Sequence, residues 1–431
     1  MTSLPTNSRR KFIQSTAAVA AGATFLPATA TAGFHASGSD VLKVGLIGCG
    51  SRGNGAAKDA IDADKNAKLT AICDIFPDKL EQAKSSLKRS LKDQYDVDDA
   101  NCFSDFDGYK QLLATDVDVV LLTTPPYFRP KMLEAAVAAG KHVFCEKPVA
   151  VDGAGVRSVL ETSRKAKEKN LNIVSGLCWR YDTGVLETMK RIQDGAIGDV
   201  VAIQNDYLTS ELWYRTPKPD WTKMENQIRN WLYYTWLSGD HINEQHIHSL
   251  DKSVWLNGDQ PPATCYGLGG RQKRTSDRYG HIYDHFAICF EWENGVKAFS
   301  YTRQMTGCHS TTEDHVLGTK GKAQVLRHKI EGPNSWSFRD RKASMYKLEH
   351  VALFDAIRSG KALNNGEYMS YSTLMAIMGR EACYTGKRIT SEDALNDTTV
   401  LGPEELAWTN DVPDYPVAIP GGNRTRRRGR Q

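Results

Sequence analysis

Short apolar runs alternate with amphipathic stretches over the part of the chain that follows residue 40. The apolar runs have the length and composition of buried parallel strands, and they lie at residues 41–47, 68–73, 117–123, 141–145 and 171–176. Segments with helical spacing separate them, at residues 56–61, 77–91, 105–114, 131–139 and 156–170. This alternation predicts a doubly wound parallel sheet that binds its ligands at the carboxyl ends of the strands.

The pattern changes after residue 176. A helical segment at residues 181–194 precedes stretches that alternate like strands with one covered face, at residues 200–207, 285–292 and 296–301. Helical spacing returns at residues 347–359 and 371–384. These elements predict a second domain of the α+β class over residues 177–395, with an open sheet, followed by a C-terminal extension over residues 396–431.

A glycine-rich turn follows the first predicted strand. The sequence Gly-Cys-Gly-Ser-Arg-Gly at residues 48–53 lies between that strand and a predicted helix. Glycines at these spacings allow a tight turn, close approach of a pyrophosphate and close packing of the helix, whose free N–H groups then face the phosphates. Residues 41–176 are therefore predicted to form a Rossmann domain. The turn residues predicted to contact the cofactor are Gly48, Gly50, Ser51, Arg52 and Gly53.

An acid ends the second predicted strand. Asp74 comes about twenty residues after the last glycine, where a carboxylate accepts hydrogen bonds from the ribose hydroxyls of NAD. Ile75 and Phe76 follow it and offer no cation for the 2′-phosphate of NADP. NAD is therefore the predicted cofactor, although Arg52 in the turn leaves NADP as the less favoured alternative.

Lys147 is the predicted catalytic lysine. It follows the strand at residues 141–145, so it lies at the carboxyl end of a parallel strand, on the nicotinamide side of the site. An ammonium there can stabilise the alkoxide that forms as hydride leaves a carbinol carbon. The alternative is an ordinary surface lysine.

The chain resembles the glucose-fructose oxidoreductase, inositol dehydrogenase and MocA family. The resemblance rests on the glycine turn, the strand ending in Thr124-Pro125, the Ala-Gly-Lys-His-Val stretch at residues 139–143 and the triplet Glu146-Lys147-Pro148, and it extends to about residue 389. It implies that Lys147 is the active-site lysine. It also implies a mainly antiparallel second sheet that covers the nicotinamide and pairs with a partner subunit. The cofactor contacts it adds are Thr124, Pro125, Glu146 and Lys147. Arg129 stands where the family usually has a histidine.

Aromatic residues are dense between residues 207 and 251. Their flat rings can pack on the C–H faces of a sugar, and arginines among them can bind hydroxyls or a carboxylate. The predicted substrate contacts are Arg229, Trp231, Tyr234 and His248. In the alternative interpretation most of these rings belong to the core, and we expect roughly half to be structural.

A second polar group lies in a predicted helix over residues 238–251. Glu244 and His248 are four residues apart and would share a helix face, with Asp251 further along it. The family has an acid, a histidine and an aspartate here, although its acid is usually aspartate and a glycine usually occupies position 246, where this chain has His246. We predict that His248 removes the hydroxyl proton, that Glu244 orients it or shares the proton, and that Lys147 stabilises the alkoxide. The alternative is a metal site formed by His241, Glu244 and His248.

The charge is concentrated at the two ends of the chain. The formal charge is +4, but Arg9, Arg10, Lys11 and five arginines in residues 424–430 contribute +8, which leaves −4 for the rest. This balance excludes a broad basic surface for nucleic acid or membrane, and the basic tail is predicted to be a solvated end. The nine cysteines form no C-x-x-C pair and are predicted to be buried and unpaired.

The first residues carry an export pattern. Ser-Arg-Arg-Lys-Phe-Ile at residues 8–13 is a twin-arginine motif, followed by a mild apolar run at 17–26 and small residues at 28–32. The run is too short and too rich in alanine for a membrane anchor. The pattern predicts a signal peptide over residues 1–32 and a periplasmic location, which a protein folded around its nucleotide can reach by this route.

Together these features predict an exported NAD-dependent oxidoreductase that acts on a hydroxyl of a sugar or cyclitol and forms a homo-oligomer. Two alternatives remain open at this point. One is an NAD-dependent glycoside hydrolase that works by transient oxidation and elimination. The other is a nucleotide-binding protein without catalysis.

Overall fold

The structure is a computed structural model that describes residues 40–403 and 405–422. The predicted signal peptide at residues 1–32 and the arginines of residues 424–430 lie outside the described residues. Within the described ranges, no helix combines the length and the apolar character that a membrane crossing would need.

The first domain is built on a parallel sheet of six strands in the order β3-β2-β1-β4-β5-β6. The strands are β1 (Leu42–Ile47), β2 (Ala67–Cys73), β3 (Cys102–Phe103), β4 (Val119–Leu122), β5 (His142–Cys145) and β6 (Ile173–Ser175). The helices between them are α1 (Ser51–Ala63), α2 (Pro77–Leu91), α3 (Gly108–Leu113), α4 (Arg129–Ala138) and α5 (Gly153–Glu168). The predicted doubly wound sheet is confirmed.

The second domain contains a nine-stranded sheet in the order β14-β13-β12-β11-β7-β10-β9-β8-β15. Its strands are β7 (Val200–Thr209), β8 (Thr264–Gly270), β9 (His285–Glu291), β10 (Lys297–Gln304), β11 (Thr311–Gly318), β12 (Lys322–Gln324), β13 (Lys329–Glu331), β14 (Trp336–Ser337) and β15 (Ile389–Thr390). Its described pairs are antiparallel except the central pair of β7 and β10, which is parallel. The predicted α+β class is therefore confirmed.

Eight helices of the described chain accompany this sheet. They are α6 (Thr183–Gln193), α7 (Lys223–Arg229), α8 (Thr235–Ser238), α9 (His241–Glu244), α10 (Ile247–Leu256), α11 (Met345–Ser359), α12 (Gly366–Thr385) and α13 (Ser391–Asn396). Helices α10 and α12 pack against one face of the sheet. The other face carries exposed apolar side chains, and Leu268 on β8 is 78% exposed.

The helix predicted over residues 238–251 is wrong as a single element. Helix α9 ends at Glu244 and α10 begins at Ile247. Between them the His246 amide donates to the His241 carbonyl, five residues back, at 3.1 Å. This wider turn rotates α10 relative to α9, so the simple four-residue spacing no longer places Glu244 and His248 on one face.

Late parts of the chain return to the first domain. Helix α11 packs against α1. The residues after α13, which we name the C-terminal strap (residues 397–403 and 405–422), run across both domains. The Tyr127 hydroxyl donates to the Pro403 carbonyl at 2.6 Å, and the Tyr283 hydroxyl donates to the Ala418 carbonyl at 2.8 Å. The strap therefore connects the Rossmann domain to the second sheet.

Candidate active site

The glycine turn has the shape that a dinucleotide cradle requires. Gly48 adopts φ +99° beside Thr123, and a Cβ on Gly53 would lie 1.8 Å from the Gly48 carbonyl oxygen, so neither position accepts a side chain. A Cβ on Gly50 would meet nothing within 4 Å. Gly50 precedes the first residue of α1 and makes no side-chain cap, which leaves the N–H groups of the helix facing this open space.

Two polar side chains hold the turn in place. The Thr123 hydroxyl donates to the Gly48 carbonyl at 2.7 Å. The Asp74 carboxylate accepts from the amides of Cys49 at 2.7 Å and Phe76 at 2.9 Å. Burial raises the pKa of Asp74, and these two hydrogen bonds oppose that rise. Asp74 therefore lies at the turn as predicted and also organises its backbone.

Thr123 is a functional residue that sequence reasoning missed. The predicted cofactor contacts named the next two residues instead. The Thr124 hydroxyl lies 3.6 Å from the Met132 sulfur, and Pro125 precedes the short 3₁₀ turn Pro126–Phe128. A threonine at the end of a buried strand was the available signal.

Arg52 lies between two buried carboxylates. Its Nε donates to Glu146, and its Nη2 donates to Glu349 Oε1 at 2.7 Å. Glu349 is fully buried on α11, and burial followed by the charge of Glu146 raises its pKa well above the usual range. The guanidinium lies 5.0 Å from the centre of the Tyr346 ring, also on α11. The structure thus brings the predicted residues Arg52 and Glu146 together and adds two that sequence reasoning missed.

Lys147 and Glu244 meet across the two domains. The Lys147 ammonium donates to the Glu244 backbone carbonyl and lies 3.1 Å from its Oε1. The two side chains are 13% and 16% exposed, so solvent screens this pair only partly. Next to it, the Glu146 carboxylate accepts from the Lys147 amide at 3.1 Å. The lysine is therefore held at the carboxyl end of β5, as predicted.

The surroundings of the His248 imidazole disfavour its protonated form. Its Nδ1 has no hydrogen-bond partner among the described residues. Burial, then the positive charges of Lys147, Lys252 and Arg52, lowers its pKa well below the usual value. The ring of Trp179 lies 5.3 Å away, and sequence reasoning missed it.

The predicted role of Glu244 in orienting His248 needs correction. The Glu244 carboxylate pairs with Lys147 instead, and His248 Nδ1 has no hydrogen-bond partner among the described residues. Asp251, expected on the same face, pairs with Arg180 at 2.9 Å. Glu244 therefore holds the lysine rather than the histidine.

The predicted substrate arginine lies elsewhere. Arg229 forms ion pairs with Asp78 at 2.7 Å and Glu225 at 2.8 Å. Its guanidinium lies 3.9 Å from the centre of the Phe76 ring, two residues after Asp74. Arg229 is thus a link to the adenosine side of the Rossmann domain, where it borders a depression of about 420 Å³.

The predicted aromatic contacts are largely core. Tyr234 is buried, and its ring lies 5.5 Å from that of His281. Trp231 packs, partly buried, against the same apolar cluster, which also contains Tyr233 and Trp236. This supports the structural interpretation of these rings. The rings that do approach the Lys147 cluster come from other elements.

The metal alternative finds no support in the geometry. His241 Nδ1 bonds Asp240 at 3.0 Å, and its ring lies 5.0 Å from Phe286 in the second domain. Over residues 40–403 and 405–422, no three His, Cys, Asp or Glu side chains are arranged to hold a metal ion. Arg129, the departure from the family pattern, is buried and donates to the Pro148 carbonyl behind Lys147.

Comparisons with known proteins agree with this architecture. The model of the Gfo/Idh/MocA oxidoreductase family, NAD-binding Rossmann fold, matches residues 42–173, and the model of the Gfo/Idh/MocA C-terminal domain matches residues 185–324. The inositol 2-dehydrogenase of Klebsiella pneumoniae (strain 342) is 32% identical over 347 residues, which cover 78% of this chain and 91% of that protein.

Solved structures share the fold. The scyllo-inositol dehydrogenase of Lactobacillus casei with bound NAD(H) and scyllo-inositol superposes with a TM-score of 0.62 at 20% identity, over 82% of this chain and 100% of that one. The aldose-aldose oxidoreductase of Caulobacter crescentus gives 0.63 at 19% identity, over 81% and 99%. The predicted NAD cofactor is confirmed. The chain belongs to the Gfo/Idh/MocA family and is an NAD-dependent oxidoreductase acting on CH–OH groups.

Proposed function

We propose that this enzyme oxidises a secondary hydroxyl group of a sugar or cyclitol. One observation carries the proposal: the Lys147 ammonium and the His248 imidazole, whose protonated form is disfavoured by burial and by the charge of Lys147, lie in one cluster at the carboxyl edge of the Rossmann sheet. A cation and a proton acceptor are what a hydroxyl needs to lose its proton and then its hydride. The inositol 2-dehydrogenases among the relatives support a polyol as the substrate class.

Different residues bind the cofactor, accept the proton and stabilise the developing charge. The glycine turn and Asp74 would hold NAD, which supplies the hydride acceptor when bound. The His248 imidazole accepts the hydroxyl proton at Nε2, since its Nδ1 is enclosed by the protein. Lys147 stabilises the negative charge left on that oxygen, and Glu244 holds the lysine in position. Because the imidazolium is disfavoured by burial and by nearby cations, His248 returns the proton readily.

A proton that is easily returned suits a reversible cycle on a retained cofactor. We place the enzyme in the periplasm, on the basis of the twin-arginine motif at residues 8–13. No soluble NAD pool would reoxidise the cofactor there, so NAD would stay bound and be recycled between two polyols. The same residues would also serve transient oxidation followed by elimination of a glycosidic bond, the alternative activity.

We also propose a homodimer formed through the open face of the second sheet. The exposed apolar residues on this face come from neighbouring strands, which makes a continuous surface: Tyr266, Leu268, Phe299, Tyr301 and Leu317. Such a patch on a protein surface is typical of a subunit interface. Leu268→Asp should convert a dimer to a monomer in sedimentation experiments, whereas Val400→Asp, an exposed residue of the strap, should not.

The test begins with the purified protein as isolated. The desalted protein is denatured, and the released nucleotide is identified and quantified by mass spectrometry. A panel of aldoses, cyclitols and nitrophenyl glycosides is then assayed for NAD reduction, sugar-to-sugar exchange and nitrophenol release. Near-stoichiometric NAD with exchange between polyols supports the proposal, and nitrophenol release selects the glycosidase alternative. A protein that binds NAD and converts no member of the panel contradicts both.

A further inference from the structure

A buried lysine lies directly behind His248. Lys252 on α10 is 1% exposed, and its Nζ pairs with Asp314 Oδ2 at 2.8 Å. The same ammonium donates to the His248 backbone carbonyl at 2.8 Å and lies 3.5 Å from the centre of the Trp179 ring. Burial of an ammonium destabilises a protein unless partners replace its water, and an apolar side chain could often fill the same volume at no loss of stability. The charge itself therefore suggests a role beyond packing.

Trp179 connects this cation to the imidazole. Its ring lies against the Lys252 ammonium and 5.3 Å from the His248 ring, at an interplanar angle of 47°. The next residue, Arg180, forms a two-point ion pair with Asp251, the neighbour of Lys252. Two adjacent contacts thus fix the turn after β6 onto α10.

We propose that Lys252 and Trp179 are positioning residues, which fix the His248 imidazole beside Lys147 and add positive charge behind it. The inference rests on the proposed function, in which His248 takes the hydroxyl proton. Lys252 acts through its two contacts with residues 179 and 248. The substrate itself would meet His248 and Lys147, and the lysine would stay buried behind them.

Electrostatics agree with this arrangement. After burial, the charges that lower the pKa of His248 are those of Lys147, Lys252 and Arg52. The other titratable groups of the region surround Tyr207 on β7 and are Cys178, Glu244, Asp314 and Tyr346. Of the three cations that act on His248, Lys252 is the one that is fully buried and takes no part in the proposed reaction. Removal of its charge should therefore raise the pKa of His248 and leave the reacting groups in place.

The experiment measures the protonation of His248 in two ways. A protonated imidazole quenches the fluorescence of an adjacent indole, so wild-type protein should show a pH-dependent fluorescence step that Trp179→Phe and His248→Asn both lack. In Lys252→Met the midpoint of this step should move up by about one pH unit, because a close positive charge has been removed. The acid limb of the kcat profile should move up by the same amount.

Lys342 provides a matched control. Its Nζ lies 2.9 Å from Asp182 and 2.9 Å from His328 Nε2, so it repeats the lysine, aspartate and histidine chemistry away from the site. Lys342→Met should leave both the fluorescence midpoint and the kcat profile unchanged. A Lys252→Met protein that is folded and shows the wild-type midpoint and profile overturns the inference.

Trp179→Phe tests the inference if Lys252→Met does not fold. A positioning role predicts that kcat falls about tenfold or more while KM for the polyol stays within about twofold. A wild-type kcat in this variant, or a change confined to KM, overturns the inference. Failure of the proposed function is recognised separately: the wild-type protein is then inactive on polyols, whereas the fluorescence step still reports whether Lys252 acts on His248.

Discussion

The cofactor cradle and the catalytic cluster are built in opposite ways. The cradle uses backbone and small side chains that all belong to the first domain: the turn of residues 48–53, the acid at 74 and the threonine at 123. The cluster uses long polar side chains from distant elements, such as Lys147 with Glu244, 97 residues apart, and Arg52 with Glu349, 297 residues apart. Recognition of the nucleotide is therefore local, and the chemistry depends on how the two domains meet.

The largest expected effect is the loss of chemistry without loss of the cofactor. Lys147→Met removes the cation that stabilises the developing alkoxide, so kcat should fall about 100-fold to 1000-fold. The nucleotide content measured by mass spectrometry should stay as in the wild type. Lys141→Met is the control, because Lys141 lies at the opposite end of β5 and donates to the Thr115 carbonyl at 3.1 Å. Loss of NAD from the Lys147 variant would contradict the idea that the cradle alone binds the cofactor and the cluster alone performs the chemistry.

Two glycine variants test the cofactor cradle itself. Gly53→Ala forces a Cβ against the Gly48 carbonyl, and we expect the free energy of unfolding to fall by about 1–3 kcal/mol. Gly50→Ala meets nothing within 4 Å in the protein, so its stability should change by less than about 0.5 kcal/mol. The Gly50→Ala variant should nevertheless contain less bound nucleotide, since its methyl group points into the space left for the pyrophosphate. Equal stability of the two variants in urea titrations would contradict this assignment.

The smallest expected effect is on the pH dependence of stability, through His350 on α11. Burial lowers the pKa of His350 to about 3, and its ring lies 4.3 Å from that of Phe144 on β5. In the unfolded chain this histidine binds a proton near pH 6.5, whereas in the folded protein it stays neutral at that pH. The free energy of unfolding therefore falls as the pH drops below 6.5. Between pH 7.5 and pH 5.5 the cost is about 1.4 kcal/mol. His350→Phe should reduce the loss of stability over that interval by this amount in urea titrations, and an unchanged loss would show that α11 leaves His350 open to water.

The local part of the molecule was predictable from the sequence. The bounds predicted for the helix at residues 77–91 are those of α2, and the strands and glycines of the first domain follow from periodicity and turn chemistry. The single helix over residues 238–251 was wrong because backbone with positive φ at Gly239 and Asp240 separates α8 from α9, and a wide turn at Gln245 and His246 separates α9 from α10. Gly239 is a helix breaker that the sequence offers, whereas neither Gln245 nor His246 is one. Propensity does not reveal a break that tertiary contacts impose.

The missed site residues share one physical cause. Glu349, Tyr346 and Trp179 reach the cluster from elements that no local pattern connects to it. Tyr234 and Arg229 were drawn into the predicted site by their chemistry, whereas packing places one in the core and the other beside Phe76. Residue type marks what a side chain can do, and only the fold decides which side chains meet.

The late return of the chain to its first domain affects the order of synthesis. Arg52 leaves the ribosome early, but its partner Glu349 emerges 297 residues later, and Trp408 of the strap, whose ring lies 4.6 Å from that of Phe106, comes later still. At about 5–20 residues per second, that delay between Arg52 and Glu349 lasts roughly 15–60 s. During this time the nascent chain has its glycine turn but lacks the carboxylate on α11 and the Trp408 ring. The arginine of the glycine turn therefore gains its buried partner on α11 only when translation is nearly complete, long after the residues of the turn itself have been made.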